Sequence, residues 1–167
     1  MKNFLKRFWP LLTLGVVAVG VLIGVWLYNA RSTPKSAVEG YLRATLQYDA
    51  DEMVKYSSGY QLQELMDLYG IKDTDTLRRT LKANYSLPGA NRVTGTLTFQ
   101  SEVGQPIQPG TDAFDRLLEK YAEKADASKV KAFVRVKTHC SSESGFNATY
   151  DVYAVQCGGK WYYGFNA

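Results

Sequence analysis

The 167-residue sequence contains only two cysteines, one histidine and five prolines. Two cysteines are too few for the disulfide framework of a small secreted protein. Even with the single histidine, they fall short of the four protein ligands of an ordinary structural zinc site. The sequence therefore predicts neither a disulfide-stabilised scaffold nor a metal site, and we expect no cofactor.

A basic excess that would indicate nucleic-acid binding is missing from most of the chain. The formal net charge is +4, but three of the basic residues, Lys2, Lys6 and Arg7, lie at the N-terminal tip. From Asn29 onward, the chain contains 17 lysines and arginines and 16 acidic residues, so the positive and negative charges nearly cancel. Because nucleic-acid binding depends on clustered positive charge, we expect no nucleic-acid partner.

The patterns of nucleotide binding and of thiol catalysis are also missing. No glycine-rich loop leads from a predicted strand into a helix, as phosphate-binding loops require. The only histidine, His139, is followed directly by Cys140. Adjacent residues of a strand point to opposite faces, so these two side chains cannot form a catalytic dyad.

A long apolar run is present near the N-terminus. No charged residue occurs between Phe8 and Ala30, and about 20 apolar residues in a helix cross a ~30 Å hydrocarbon core. A cleaved signal peptide is the alternative, but its apolar core usually has ~7–15 residues and ends at a small-x-small site. Here the bulky Tyr28 stands two positions before Ala30, which favours an uncleaved membrane anchor.

The charges that flank the apolar run predict its orientation. The short N-terminal tail carries more basic residues than the other flank, which predicts a cytoplasmic N-terminus and an extracytoplasmic C-terminus. We therefore expect a protein that spans the cell membrane once. Its predicted parts are a cytoplasmic tip at residues 1–9, an anchor at 10–28, a linker at 29–33 and an extracytoplasmic domain at 34–167.

Gly20 and Gly24, inside the apolar run, form a GxxxG pattern. Two small residues one turn apart allow helices to approach closely, so this face is a candidate for self-association in the membrane. The alternative interpretation is that glycine is simply frequent in membrane helices.

Helical patterns dominate the first part of the predicted domain. A first helix is predicted after Thr33 as its cap, with Ser36 and Glu39 as an alternative capping box. Further helices are predicted at Asp49–Ser57, at Tyr60–Tyr69 before Gly70, at Thr74–Tyr85, and from Thr111 to Ala125.

Alternating patterns, typical of strands, dominate the remainder. They run from Val93 to Gln100, from Val130 into the segment that ends at Cys140, from Ala148 to Cys157 and from Lys160 to Phe165. This order of elements, with helices in the first part and an antiparallel meander in the last, predicts an α+β fold.

The pairing of the last strands predicts the state of the two cysteines. If the segment ending at Cys140 forms a hairpin with Ala148–Cys157, the two cysteines lie on the order of 20 Å apart, too far for a disulfide. We also expect Trp161 to share a face with Tyr163 and Phe165 and to be buried in the core.

Two segments resemble nuclear transport factor 2-like domains. The segment PKSAVEGYL at residues 34–42, followed by Asp49-Ala50-Asp51 and a short helix, is similar to their opening, and GGKWYY at 158–163 is similar to their last hairpin. The resemblance implies a cone in which helices pack on a curved antiparallel sheet. Such domains occur in small membrane-anchored bacterial proteins of unknown function and in scaffold proteins of type IV secretion systems. The helix predicted after Thr111 departs from the simplest members.

We interpret the chain as a non-catalytic, membrane-anchored binding or scaffold domain of an envelope assembly. Its expected partner is another protein or a second copy of itself. The resemblance also implies an alternative, because ketosteroid isomerase and dehydratase relatives place a carboxylate base and an oxyanion donor inside the cone. Asp151 and Tyr153 share a strand face and are the best available pair, although an exposed strand acid beside an aromatic residue is the favoured explanation. An apolar small ligand in a partly open cone is a further alternative.

Two sequons, at Asn84 and Asn147, fit the N-glycosylation pattern. They matter only in a eukaryotic host, because such triplets also arise by chance.

The anchor interpretation predicts that the apolar run is retained in the mature protein. Intact-mass spectrometry of protein purified from its native membrane should find a chain that begins at or near Met1. A mature N-terminus near Arg31 would contradict the prediction.

Overall fold

Polar caps determine where the helices of the first half begin. The computed structural model describes residues 32–88 and 91–167. Its first four helices are α1 Pro34–Gln47, α2 Ala50–Tyr56, α3 Gly59–Tyr69 and α4 Thr74–Tyr85. Each begins after a side chain that accepts a backbone N–H of the first turn, namely Thr33, Asp49, Ser58 and Asp73. Such caps satisfy backbone N–H donors that would otherwise be unpaired. The predicted positions of these helices are confirmed.

A four-stranded antiparallel sheet forms the second half. Its elements are β1 Leu97–Val103, helix α5 Asp112–Ala122, β2 Val130–Ser142, β3 Asn147–Cys157 and β4 Lys160–Asn166. The strands are ordered β1-β2-β3-β4, and each pairs antiparallel with its neighbours. The predicted α+β class and the meander of the last three strands are therefore confirmed.

The first strand begins later than predicted. Val93 was expected to start it, but its backbone N–H donates to the carbonyl of Leu46 at the end of α1 (2.9 Å). Gly95 has a φ of +82°, which breaks the extended path. The strand therefore begins only at Leu97.

Two apolar cores lie on opposite faces of the sheet. The first contains buried side chains of α1, α2, α4 and the sheet, among them Tyr41, whose ring stacks on Tyr163 at 3.9 Å. The second contains Phe133, Phe165 and buried aromatic residues of α3 and α5. Phe133 is fully buried there.

A β-bulge at Gly164 corrects the predicted placement of the last aromatic residues. Tyr163 pairs with Ala154 and Phe165 with Tyr153, so one extra residue lies between the two pairs. The extra residue sends Tyr163 to the first core and Phe165 to the second. The expectation that they share one face was therefore wrong.

Trp161 is less buried than predicted. It is half-buried in β4 and packs against the edge of the first core. The buried centre of that core is formed by other residues, including Tyr41 and Tyr163. Trp161 therefore contributes to the border of the core rather than to its centre.

The cysteine prediction is confirmed. Cys140 pairs with Ala148 near one end of the β2–β3 hairpin, and Cys157 pairs with Val130 at the other end. Both cysteines are free thiols.

Within residues 32–88 and 91–167, no helix combines the length and the apolar character needed to cross a membrane. The predicted anchor at 10–28, with Gly20 and Gly24, lies outside the described residues.

Replacing Gly164 with alanine tests the bulge. An added Cβ would lie 2.6 Å from the backbone carbonyl oxygen of Tyr153, a distance that requires the strands to move. We expect Gly164→Ala to lower the free energy of unfolding by about 1–3 kcal/mol, the usual cost of overpacking. Urea unfolding measures the loss, and a change below about 0.5 kcal/mol would contradict the close approach.

Candidate functional site

Asp151 and Tyr153, the pair predicted from the sequence, each contact another residue. The guanidinium of Arg135 donates two hydrogen bonds to the Asp151 carboxylate, at 2.8 and 2.6 Å. These bonds hold the pKa of Asp151 below its usual range. The ring of Tyr153 packs against Phe165, with 5.7 Å between centroids. A carboxylate with a lowered pKa is a weaker base, so this environment does not favour proton abstraction by Asp151.

A groove of about 450 Å³ lies over β1 and the polar face of the neighbouring strands. It is lined by Lys35, Phe99, Gln100, Ser101, Glu102, Lys137, His139 and Thr149. The lining therefore contains four successive residues of one strand, two lysines and the only histidine of the chain. The sequence did not predict this groove, because residues of α1 and three strands meet only in the folded chain.

One stripe of α1 stands beside this groove. Lys35, Glu39 and Arg43 follow each other at four-residue spacing, which places them on one helix face. The Lys35 ammonium lies 3.9 Å from the Glu39 carboxylate. The Arg43 guanidinium lies over the ring of Phe99, 4.9 Å from its centroid. The wall beside β1 is therefore polar and mostly cationic.

Ser101 connects this wall to the sheet. Its hydroxyl donates to the Glu39 carboxylate at 2.7 Å and lies 3.0 Å from the hydroxyl of Thr138. Thr138 is fully buried, so this contact satisfies a polar group that would otherwise be costly inside the core. The sequence contains one indication of this contact. Thr138 interrupts the apolar row of Val134, Val136 and Cys140.

The described residues cover the second face of the sheet only in part. Helix α5 packs there over Phe133, whereas Arg135, Lys137 and His139 lie further along β2 and are exposed or half-exposed. The imidazole Nδ1 of His139 lies 3.3 Å from the Thr149 hydroxyl. These side chains form a polar surface, which we call the polar half-face: Gln100, Glu102, Arg135, Lys137, His139, Thr149 and Asp151.

The interior of the described part of the chain carries no buried charge. Apart from tyrosines, its buried polar side chains are Ser57, Ser58 and Thr138. Burial raises the pKa of Tyr163 to about 12. Within the described ranges, no group of three or more His, Cys, Asp or Glu residues is placed to hold a metal ion.

No family model matches the sequence, and no curated protein shows significant sequence similarity to it.

The Arg135–Asp151 contact predicts a measurable titration. Arg135→Gln should raise the pKa of Asp151 towards its ordinary value of about 3.9, as followed by carboxyl ¹³C NMR. Because the folded-state pKa of wild-type Asp151 is lowered, the contribution of this pair to stability is present above about pH 4 and is lost as the pH falls through the folded-state value.

Lys131→Gln, in the same strand, is the matched control and should leave the Asp151 titration unchanged. If the two variants gave the same Asp151 pKa, Arg135 would not be the cause of the shift.

Proposed function

We propose that this chain is a single-pass membrane protein whose extracytoplasmic, nuclear transport factor 2-like domain binds another protein and catalyses no reaction. The domain presents a binding surface to an envelope assembly. The membrane anchor at 10–28 rests on the uncharged run between Phe8 and Ala30, and the family assignment rests on the resemblance of the opening helix and the last hairpin.

The composition of the interior is the observation that carries this proposal. An isomerase or dehydratase of this fold needs a carboxylate base in an apolar interior. The space between α1 and the sheet is occupied by packed side chains, including Tyr41 and Tyr163, and the partly buried Phe99 and Trp161 pack at its border. No Asp, Glu or His is buried within residues 32–88 and 91–167. The best acid predicted from the sequence, Asp151, is bound to Arg135 instead.

The polar half-face is the surface that we propose for the partner. It carries charges of both signs, since Glu102 and Asp151 flank Lys137 across the strands. Mixed charges and hydrogen-bonding side chains favour a specific protein contact over a purely electrostatic one. The groove over β1 gives this surface a concave border.

Site-specific photocrosslinking in native membranes tests the proposal. A benzophenone amino acid at Thr149, an exposed residue of the polar half-face, should give one discrete adduct with a different protein. The matched control is the same amino acid at Lys131, an exposed position of the sheet outside this surface. The control should give no such adduct.

Two results would contradict the proposal. One is the absence of any adduct at Thr149 while the chain is folded and in the membrane. The other is the same pattern of adducts at Thr149 and Lys131, because a specific surface cannot produce it.

A further inference from the structure

The outer edge of β1 carries backbone groups without partners among the described residues. β1 is the first strand of the sheet and, among the described residues, pairs with β2 alone. The N–H of Gly104, just after β1, donates to the carbonyl of Arg135. In an antiparallel ladder, every second residue turns its backbone groups to the partner strand. Counting back from Gly104, the even-numbered residues face β2, so Phe99, Ser101 and their odd-numbered neighbours present N–H and C=O groups at the free edge.

The two edges of the sheet differ in how their backbone groups are covered. At β4, the opposite edge, the Ser58 N–H donates to the carbonyl of Tyr163 at 2.9 Å, and Ser57 forms a bridge with the same residue. β1 has no such cover from the described residues. It also contains no proline and no bulge, and its only charged residue is Glu102. Proteins usually protect an open sheet edge with a covering segment, a proline, a bulge or charged residues.

The free edge also carries exposed apolar surface. Val103, at the end of β1, is 45% exposed, and Phe99 is half-buried. Both residues are odd-numbered and therefore lie on the same face as the buried Leu97. A strand added at this edge would cover Val103 as well as the unpaired backbone.

We propose that the occupant of this edge is a second copy of the same chain, paired antiparallel through β1 about a two-fold axis at Gln100. The result is a continuous sheet of eight strands. This arrangement aligns the odd-numbered residues of the two copies as hydrogen-bonded pairs, which the free backbone groups require. It is isologous, so both copies use the same surface.

The side chains of β1 favour this register. It places Val103 opposite Leu97 of the second copy, which pairs apolar residues on one face. It places Glu102 opposite Thr98 of the second copy, so the two Glu102 carboxylates stay apart and like charges do not meet. The neutral Gln100 occupies the two-fold centre. A dimer of this kind sets two polar half-faces side by side and is independent of what they bind.

Engineered cysteines test the register in the full-length protein in its membrane. In a Cys140→Ser, Cys157→Ser background, Gln100→Cys should form a disulfide-linked homodimer on mild oxidation. The reason is that non-hydrogen-bonded pairs bring Cα atoms to about 4.5 Å, within the range of a disulfide.

Thr98→Cys is the matched control on the same exposed face of β1. In the proposed register its two copies lie about four residues apart along the strands, on the order of 13 Å, and should not link. Mixed with chains that carry Glu102→Cys, however, the Thr98→Cys chain should form a linked heterodimer. This pattern separates strand pairing from mere proximity in the membrane.

Three outcomes would overturn the proposal, provided circular dichroism shows that the variants are folded. The first is no dimer with Gln100→Cys. The second is equal dimer formation with Thr98→Cys alone. The third is a disulfide from Gln100→Cys to a different protein in place of the homodimer, which would make β1 the docking edge for another partner.

Discussion

The pairing of β2 with β3 is the constraint on which the rest of the structure depends. β2 is the longest strand, and its residues contribute to both cores and to the polar half-face. Its even-numbered residues from Val134 onward face α1, while Phe133 faces α5 on the other side. A shift of one residue would move every one of these side chains to the wrong face, so the register defines the cores and the candidate site together.

The helices and the order of the strands could be predicted because their causes are local. Capping side chains such as Asp49 and Asp73 lie next to the helices that they start, and alternation marks a strand within its own segment. The bulge at Gly164 could not be predicted in this way. It depends on Tyr153 in the neighbouring strand, whose carbonyl leaves no room for a Cβ.

The candidate site was harder to predict for the same reason. Asp151 and Tyr153 were correctly placed on one strand, but the sequence did not indicate that Arg135 binds the carboxylate. That contact needs the register of β2 against β3. Likewise, the contact of Ser101 with Glu39 joins residues far apart in the chain. Local patterns therefore predicted the framework, whereas long-range pairing determined the chemistry.

The central claim is that side chains occupy the space between α1 and the sheet, so that the protein acts through its surface. Titration of a fragment of residues 33–167 with the apolar dye 1-anilinonaphthalene-8-sulfonate tests it most directly. We predict no saturable increase in fluorescence, because Tyr41 and Tyr163 stack where such a ligand would bind. Saturable one-to-one binding to the folded fragment would contradict the claim and support a ligand-binding interior.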